Sequence, residues 1–309
     1  MYDCIDFNLT LEKCPGIDFL AYVPQYLTGG INNGENIHGR YVTGYLDNLK
    51  ISTTEGRVKI SGGSLCRYYL GDNFKTLSRS DTARAIEKIS DSLHLPFDRA
   101  RVTRIDVAHN LIMQHPEQAY YPLLGQAPYY NRSEMNNGLY YTNGKRQMVF
   151  YGKEHEQKVK RQPIPELYRN KNIIRYELRY MNRLTEQFNR PEITASLLSD
   201  QVFYREIVRR WHDQYFSISK INSKVNTLRP TGKATEFVKN LALLTILEYG
   251  QPHILTLVKT WQKSGDITKK QAYDLRHKVM ELNKARENAS GSDLITELDK
   301  KIMQIATYY

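Results

Sequence analysis

Cysteine is scarce: Cys4, Cys14 and Cys66 are the three in 309 residues, and none forms a C-x-x-C pair. That count excludes a disulfide framework and a thiolate zinc site, and it fits a reducing cytoplasm. No apolar run approaches the roughly 20 residues that span a bilayer, so no membrane anchor is expected. The opening stretch MYDCIDFNLTLEKC carries acids inside its apolar positions and has no basic leader, which excludes a secretory signal. Internal repeats and low-complexity tracts are also missing. A globular, intracellular protein of one or two domains is expected.

What is abundant is positive charge and tyrosine. Lys and Arg outnumber Asp and Glu by 44 to 33, for a formal charge of +11, which favours a polyanionic partner. The excess is local. Lys153 to Arg190 carries +5 and Gln201 to Lys239 another +5, as expected of a surface that tracks phosphates. There are 23 tyrosines, several in pairs such as Tyr120-Tyr121, Tyr129-Tyr130 and Tyr140-Tyr141, and their rings supply stacking faces for unpaired bases.

From Met1 to about Ser78, short apolar runs (FLAYV, RYVTGYL, NLKIS, RVKIS, LCRYYL) alternate with Gly and Asn, the pattern of strands and hairpins. Ala83, Ile86, Ile89 and Leu93 recur at helical spacing behind Ser80-Asp81, which predicts an amphipathic helix over 80–93. Strands are expected over 102–112 and 172–180, with a hairpin LYYTNGKRQMVFY turning at Asn143-Gly144. Beyond Met181 the chain becomes long amphipathic stretches parted by Gly and Pro. The organisation read from this is an α+β portion, residues 1–185, mostly antiparallel sheet, and a helical region, 186–309, with the two free to share a core.

Three segments carry side chains suited to chemistry. In Thr103-Arg-Ile-Asp-Val-Ala-His109, strand alternation puts Ile105 and Val107 on one face and Arg104 and Asp106 on the other. In Ile174-Arg-Tyr-Glu-Leu-Arg179, it sets Ile174, Tyr176 and Leu178 against Arg175, Glu177 and Arg179. A carboxylate beside an arginine on each of two strands makes a polar floor suited to a hard divalent cation and a phosphate; the alternative is a pair of surface salt bridges. In Met148-Val-Phe-Tyr-Gly-Lys-Glu-His-Glu156, Tyr151 ends an apolar strand and Lys153 is expected on its face. A phenol with a pKa near ~10 needs a nearby cation to act as a nucleophile at neutral pH.

In order and spacing, these segments resemble the filamentous-phage gene II/X replication proteins. Those have an R-I-D strand, an apolar strand ending in Y-x-K-x-x-E, and an R-x-E-x-R strand before a helical tail. Here the pattern is Arg104-Ile105-Asp106, then Tyr151, Lys153 and Glu156, then Arg175, Glu177 and Arg179. More distantly, the chain is similar to staphylococcal-type rolling-circle plasmid initiators, whose nicking tyrosine lies in a similar segment. The likeness covers roughly residues 100 to 200. One feature departs from the broader nickase pattern: the His-hydrophobic-His pair that often presents a metal is absent.

The resemblance implies an antiparallel-sheet, HUH-like nickase core in a bacterial host's cytoplasm. It implies that Tyr151 attacks single-stranded or extruded origin DNA, leaving a 5′-phosphotyrosyl enzyme and a free 3′-hydroxyl. Host polymerase would extend that end, and host helicase is a further expected partner. A divalent ion, Mg²⁺ or Mn²⁺, is expected at Asp106 and Glu177 with Glu156 as a third candidate, while Lys153 and Arg175 hold the phosphate or support the phenolate. Expected DNA contacts are Lys158, Lys160 and Arg161, in a Pro-flanked loop, and Arg205, Arg209 and Arg210. Two other readings are a mobilisation relaxase and a non-enzymatic single-strand-binding replication regulator. A tyrosine recombinase is disfavoured because no H-x-x-R segment exists.

Overall fold

The computed structural model describes residues 1–221, 234–287 and 293–309. The ten strands found among them are β1 (Tyr2–Thr10), β2 (Gly29–Asn36), β3 (Gly39–Leu46), β4 (Leu49–Thr54), β5 (Arg57–Ile60), β6 (Arg101–Met113), β7 (Asn131–Met135), β8 (Gly138–Thr142), β9 (Arg146–Gly152) and β10 (Asn172–Tyr180). They make one antiparallel sheet in the order β2-β3-β4-β5-β1-β6-β10-β9-β8-β7. The helices are α1 (Phe19–Tyr22), α2 (Leu65–Leu70), α3 (Arg79–Leu93), α4 (Lys153–Val159), α5 (Leu184–Phe188), α6 (Gln201–Phe216), α7 (Ala234–Tyr249), α8 (Gln251–Ser264), α9 (Lys269–Glu287) and α10 (Asp293–Tyr308). The fold is α+β, with the later helices following the sheet.

One face of the sheet is apolar along its centre. Ile5, Phe7 and Leu9 of β1, Ile105 and Val107 of β6, Met148 and Phe150 of β9, and Tyr176, Leu178 and Tyr180 of β10 are all buried. Helices α6 and α10 cover this face over β10 and β6, while Phe97 packs against Phe7 of β1. Tyr176 stacks on Phe150 with ring centres 4.6 Å apart and meets Trp211 of α6 at 4.9 Å, while its hydroxyl donates to the Trp211 carbonyl at 3.2 Å. Such ring pairs add roughly 0.5–1.5 kcal/mol each beyond the area they bury. Ile295, Leu298 and Ile302 of α10 join the same core, so sheet and helical region share it. Helices α7 to α9 have a smaller apolar cluster of their own, in which Ile246, Val279 and Leu282 are buried.

Two segments expected as strands are short helices. FLAYV contains α1 because the Asp18 carboxylate accepts from the Leu20 and Ala21 amides, and LCRYYL is α2 because Ser64 caps the Arg67 amide. In both, a side-chain acceptor one residue upstream satisfies the orphan N–H groups of a helix start, which outweighs the strand-like composition. The cap of α3 is Ser78, two residues before the expected Ser80; its hydroxyl accepts from Asp81 N while Asp81 reaches back to the Ser78 amide.

Gly63 lies at φ +87°, and a Cβ there would run into the Asn48 carbonyl oxygen. Gly63→Ala is therefore expected to cost about 1–3 kcal/mol, read as a lowered urea midpoint.

Candidate active site

The sheet order places β6, β10 and β9 side by side, so the three motif segments are immediate neighbours. Register pairs Arg179 with Asp106 and Arg175 with Asn110 on one side of β10, and Arg175 with Tyr151 and Arg179 with Gln147 on the other. Directly opposed residues of antiparallel strands share a face. Arg104, Asp106, Tyr151, Arg175, Glu177 and Arg179 therefore project together, away from the apolar core. They line a cleft of about 340 Å³ with Asp3, Asn73, Glu156 and Lys160, except Arg175, which is buried beneath it.

Glu177 is the hub. Its Oε1 accepts from the Tyr151 hydroxyl at 2.7 Å and from Arg175 Nε at 2.7 Å, and its Oε2 accepts from Arg179 Nε at 2.7 Å and Nη2 at 2.5 Å. Arg175 is 1% exposed, and its Nε, Nη1 and Nη2 are all committed: beyond Glu177 they reach Asn73 O and Asn110 Oδ1, each at 3.1 Å, and Asp3 Oδ2. Asp106 takes both of its close contacts from Arg104, at 2.8 and 2.7 Å. Lys153 starts α4 rather than extending β9, and it is fully buried, with Nζ 2.9 Å from Asn73 Oδ1 and 2.6 Å from Glu156 Oε2.

The charges follow from these contacts. Burial works to raise Glu177, but the Arg175 and Arg179 guanidiniums outweigh it and hold the carboxyl well below its ordinary range. Burial and then the Glu177 charge push the Tyr151 hydroxyl far above a normal phenol, against the pull of Arg175. Burial raises Asp106 to about 6 despite Arg104. Lys153 falls to about 8, through burial and then Arg175, while Glu156 is drawn down to about 2 because Lys153 and Lys160 overcome its own burial. At rest the site is thus a neutral tyrosine donating to an ionised glutamate.

The family model for the N-terminal part of a phage replication-associated protein, the gene II product, matches residues 1–214. The chain belongs to this family. No curated protein matches it at a significant level. The chain is thus a phage replication initiator of the filamentous gene II type, and the likeness reaches back to residue 1, far beyond the stretch from about 100 to 200 that carries the motifs. Origin DNA is the polyanion such an initiator meets, and no described helix is long and apolar enough to cross a membrane.

Of the residues read from sequence, the initiator brings Tyr151, Asp106, Glu177, Glu156 and Lys160 into one cleft. Lys158 lies in α4, not in a loop, and pairs with Glu154 at 2.9 Å; Lys160 pairs with Glu156 at 2.5 Å, and Arg161 is exposed just after the helix. Arg205, Arg209 and Arg210 belong to α6, on the opposite side of the sheet. Arg210 is engaged by Glu206 and by the Phe188 ring, 4.8 Å from its centre. The basic residues Lys224, Arg229 and Lys233 lie outside the described residues. Asp3 and Asn73 were not foreseen. Asp3 had a signal, an acid among apolar positions of the first strand, and a register shift between Tyr2 and Ile5 turns it into the cleft side.

The donor set does not fit the expected divalent ion as arranged. Asp106 is held at both oxygens by Arg104, Glu177 is held by Arg175, Arg179 and the Tyr151 hydroxyl, and no cluster of three His, Cys, Asp or Glu able to hold a metal exists among the described residues. Mg²⁺ and Mn²⁺ prefer several oxygens in near-octahedral array, whereas Asp106 and Glu177 are arginine-bound and Glu156, the third candidate, is held by Lys153 and Lys160. The carboxylates are ion-paired, but as a buried network rather than the surface salt bridges of the alternative. Asp106→Asn should then leave the Mg²⁺ or Mn²⁺ concentration for half-maximal nicking unchanged. Because the folded pKa is raised, unfolded chains lose the proton first, so wild-type stability relative to the variant falls by roughly 3 kcal/mol as pH rises from about 4 to about 6. Urea melts across that window, beside the metal titration, check both.

Proposed function

We propose that this initiator nicks origin DNA through Tyr151, with Glu177 receiving the phenolic proton. The observation that carries the reading is the 2.7 Å hydrogen bond from the Tyr151 hydroxyl to Glu177 Oε1 on the floor of an arginine-lined cleft. A nucleophile and its proton acceptor within hydrogen-bond reach, with the acceptor oriented by a third group, is the arrangement nucleophilic catalysis requires. Here Arg175 is the orienting group, so its role is positioning rather than phosphate contact.

Arg179 and Arg104 remain partly exposed on the cleft, with side chains 24% and 35% accessible, and are the guanidiniums a phosphodiester would meet. As Arg179 turns to the phosphate, Glu177 loses one of the charges that keep it a weak base, so substrate arrival itself strengthens the proton acceptor. The Tyr151 oxygen then bonds to phosphorus while the bond from phosphorus to the 3′ oxygen breaks. The phenolic proton goes to Glu177, the electron pair stays on the 3′ oxygen, and that oxygen takes a proton from water to give the 3′-hydroxyl, the hydroxide left behind being neutralised by the proton that Glu177 then releases. The arginines offset the charge that builds on the phosphate oxygens.

The test is incubation of the full chain with single-stranded origin DNA and Mg²⁺ or Mn²⁺. A denaturation-resistant protein–DNA adduct is expected. Tight binding with no adduct under any of these conditions would instead support the regulator reading.

A further inference from the structure

We propose that the groove between α6 and α10 is a second binding site for single-stranded DNA, on the side of the sheet opposite the Tyr151 cleft. The inference rests on the reading that this initiator handles origin DNA, but not on which residue cuts it. The groove is open, has a volume of about 590 Å³, and is lined by Arg205, Arg209 and His212 of α6 and by Met303, Thr307 and Tyr308 of α10. It continues as a shallow surface over the outer face of α10, past Lys300 and Gln304 beside Met303 and Tyr308.

Three observations select the occupant. Arg205 and Arg209 are one helical turn apart and exposed, and neither has an acidic partner among the described residues, unlike Arg210 next to them. A single acid, Asp299, borders the groove's extension, and it is already engaged by the Tyr215 hydroxyl at 2.6 Å. Tyr308 is 83% exposed and Met303 54%, an aromatic and a soft apolar side chain left in water beside unpaired cations. Cations that track a backbone, with a ring on which a base can stack, are the pairing by which proteins hold single strands without regard to sequence. A protein partner would have to bury Arg205 and Arg209 opposite acids; a nucleic-acid strand brings the phosphates itself.

The position says what the site is for. Phe150 and Tyr176 of the sheet pack against Trp211 and Tyr215 on the inner side of α6, whereas Tyr151 and Glu177 point the other way. The part of a strand that lies on the outer side of α6 is therefore on the other side of the sheet from the nucleophile. The groove holds a segment distant from the scissile phosphate while the cleft holds the nick.

The test uses the full chain and a labelled oligo(dT), whose binding does not depend on nicking. Replacing both arginines (Arg205→Ala with Arg209→Ala) should flatten the log-log dependence of affinity on salt by about 1.4, since each phosphate contact on a single strand contributes about 0.7. The double Lys variant should keep the wild-type slope. Tyr308→Ala should weaken binding about tenfold, and Tyr308→Phe should not. Photocrosslinking from iododeoxyuridine should map to Tyr308 or Met303. Wild-type slope and affinity in the Ala variants, or crosslinks confined to the Tyr151 cleft, would overturn the groove site even if Tyr151 forms its adduct. Failure of the adduct with these groove effects intact would overturn the nicking reading alone.

Discussion

Tyr151→Phe is expected to abolish the denaturation-resistant protein–DNA adduct while leaving DNA affinity nearly unchanged. The substitution removes one oxygen and keeps the ring on β9. It also removes the hydrogen bond to Glu177, but that carboxylate retains Arg175 and Arg179, so the stability loss should stay near ~1 kcal/mol. The assay is adduct formation on single-stranded origin DNA beside a thermal melt. An adduct at wild-type level in the variant would remove Tyr151 from the mechanism. Attention would then move to Tyr140, because its partner Val149 lies two residues before Tyr151 and so shares the cleft face. Tyr141 would not take its place, since its hydroxyl is buried and donates to the Leu124 and Gly125 carbonyls.

Glu177→Gln should lower the nicking rate by about 10²–10⁴ because the amide cannot take the phenolic proton. It should also destabilise the fold by about 3–5 kcal/mol, since two arginines lose their counter-charge and one of them is buried. The two effects are separable by pH. Glu177 titrates below its ordinary range in the fold, so its contribution to stability is fully present above the unfolded value near ~4.3 and is lost as pH falls below that. The wild type should therefore lose more stability on acidification than the variant. Nicking per folded molecule, measured at neutral pH, isolates the chemical effect. A folded Glu177→Gln protein that nicks at the wild-type rate would show that Glu177 is a structural anchor and that another base serves Tyr151.

Much of the site was legible because strand alternation is a local property. Arg104 with Asp106, and Arg175 with Glu177 and Arg179, fall on one face by a period of two, whatever the strands pair with. The spacing of Lys153 and Glu156 was equally plain, but their partnership was not. It depends on β9 ending at Gly152, which makes three residues almost one helical turn and turns an expected phosphate contact into a buried ion pair. The short helices α1 and α2 were misread for a related reason: a single side-chain cap outweighs several strand-favouring residues, and composition over so few positions does not register it.

By itself, then, the sequence determined the α+β composition, the polar faces of the motif strands, the amphipathic helices beyond residue 200 and, through the three motifs in order, the replication family. What only the tertiary structure decided is who meets whom. The late strand β10 inserts between β6 and β9, so Glu177 comes to lie beside Tyr151, 26 residues away in the chain, and Arg175 reaches Asp3, 172 residues away. The same packing sends Arg205 and Arg209 to the far side of the sheet from Tyr151, although the sequence offers them as part of the basic surface that follows the Tyr151 strand. Pairing order is set by the best burial of the whole apolar face, a global quantity that no local pattern encodes.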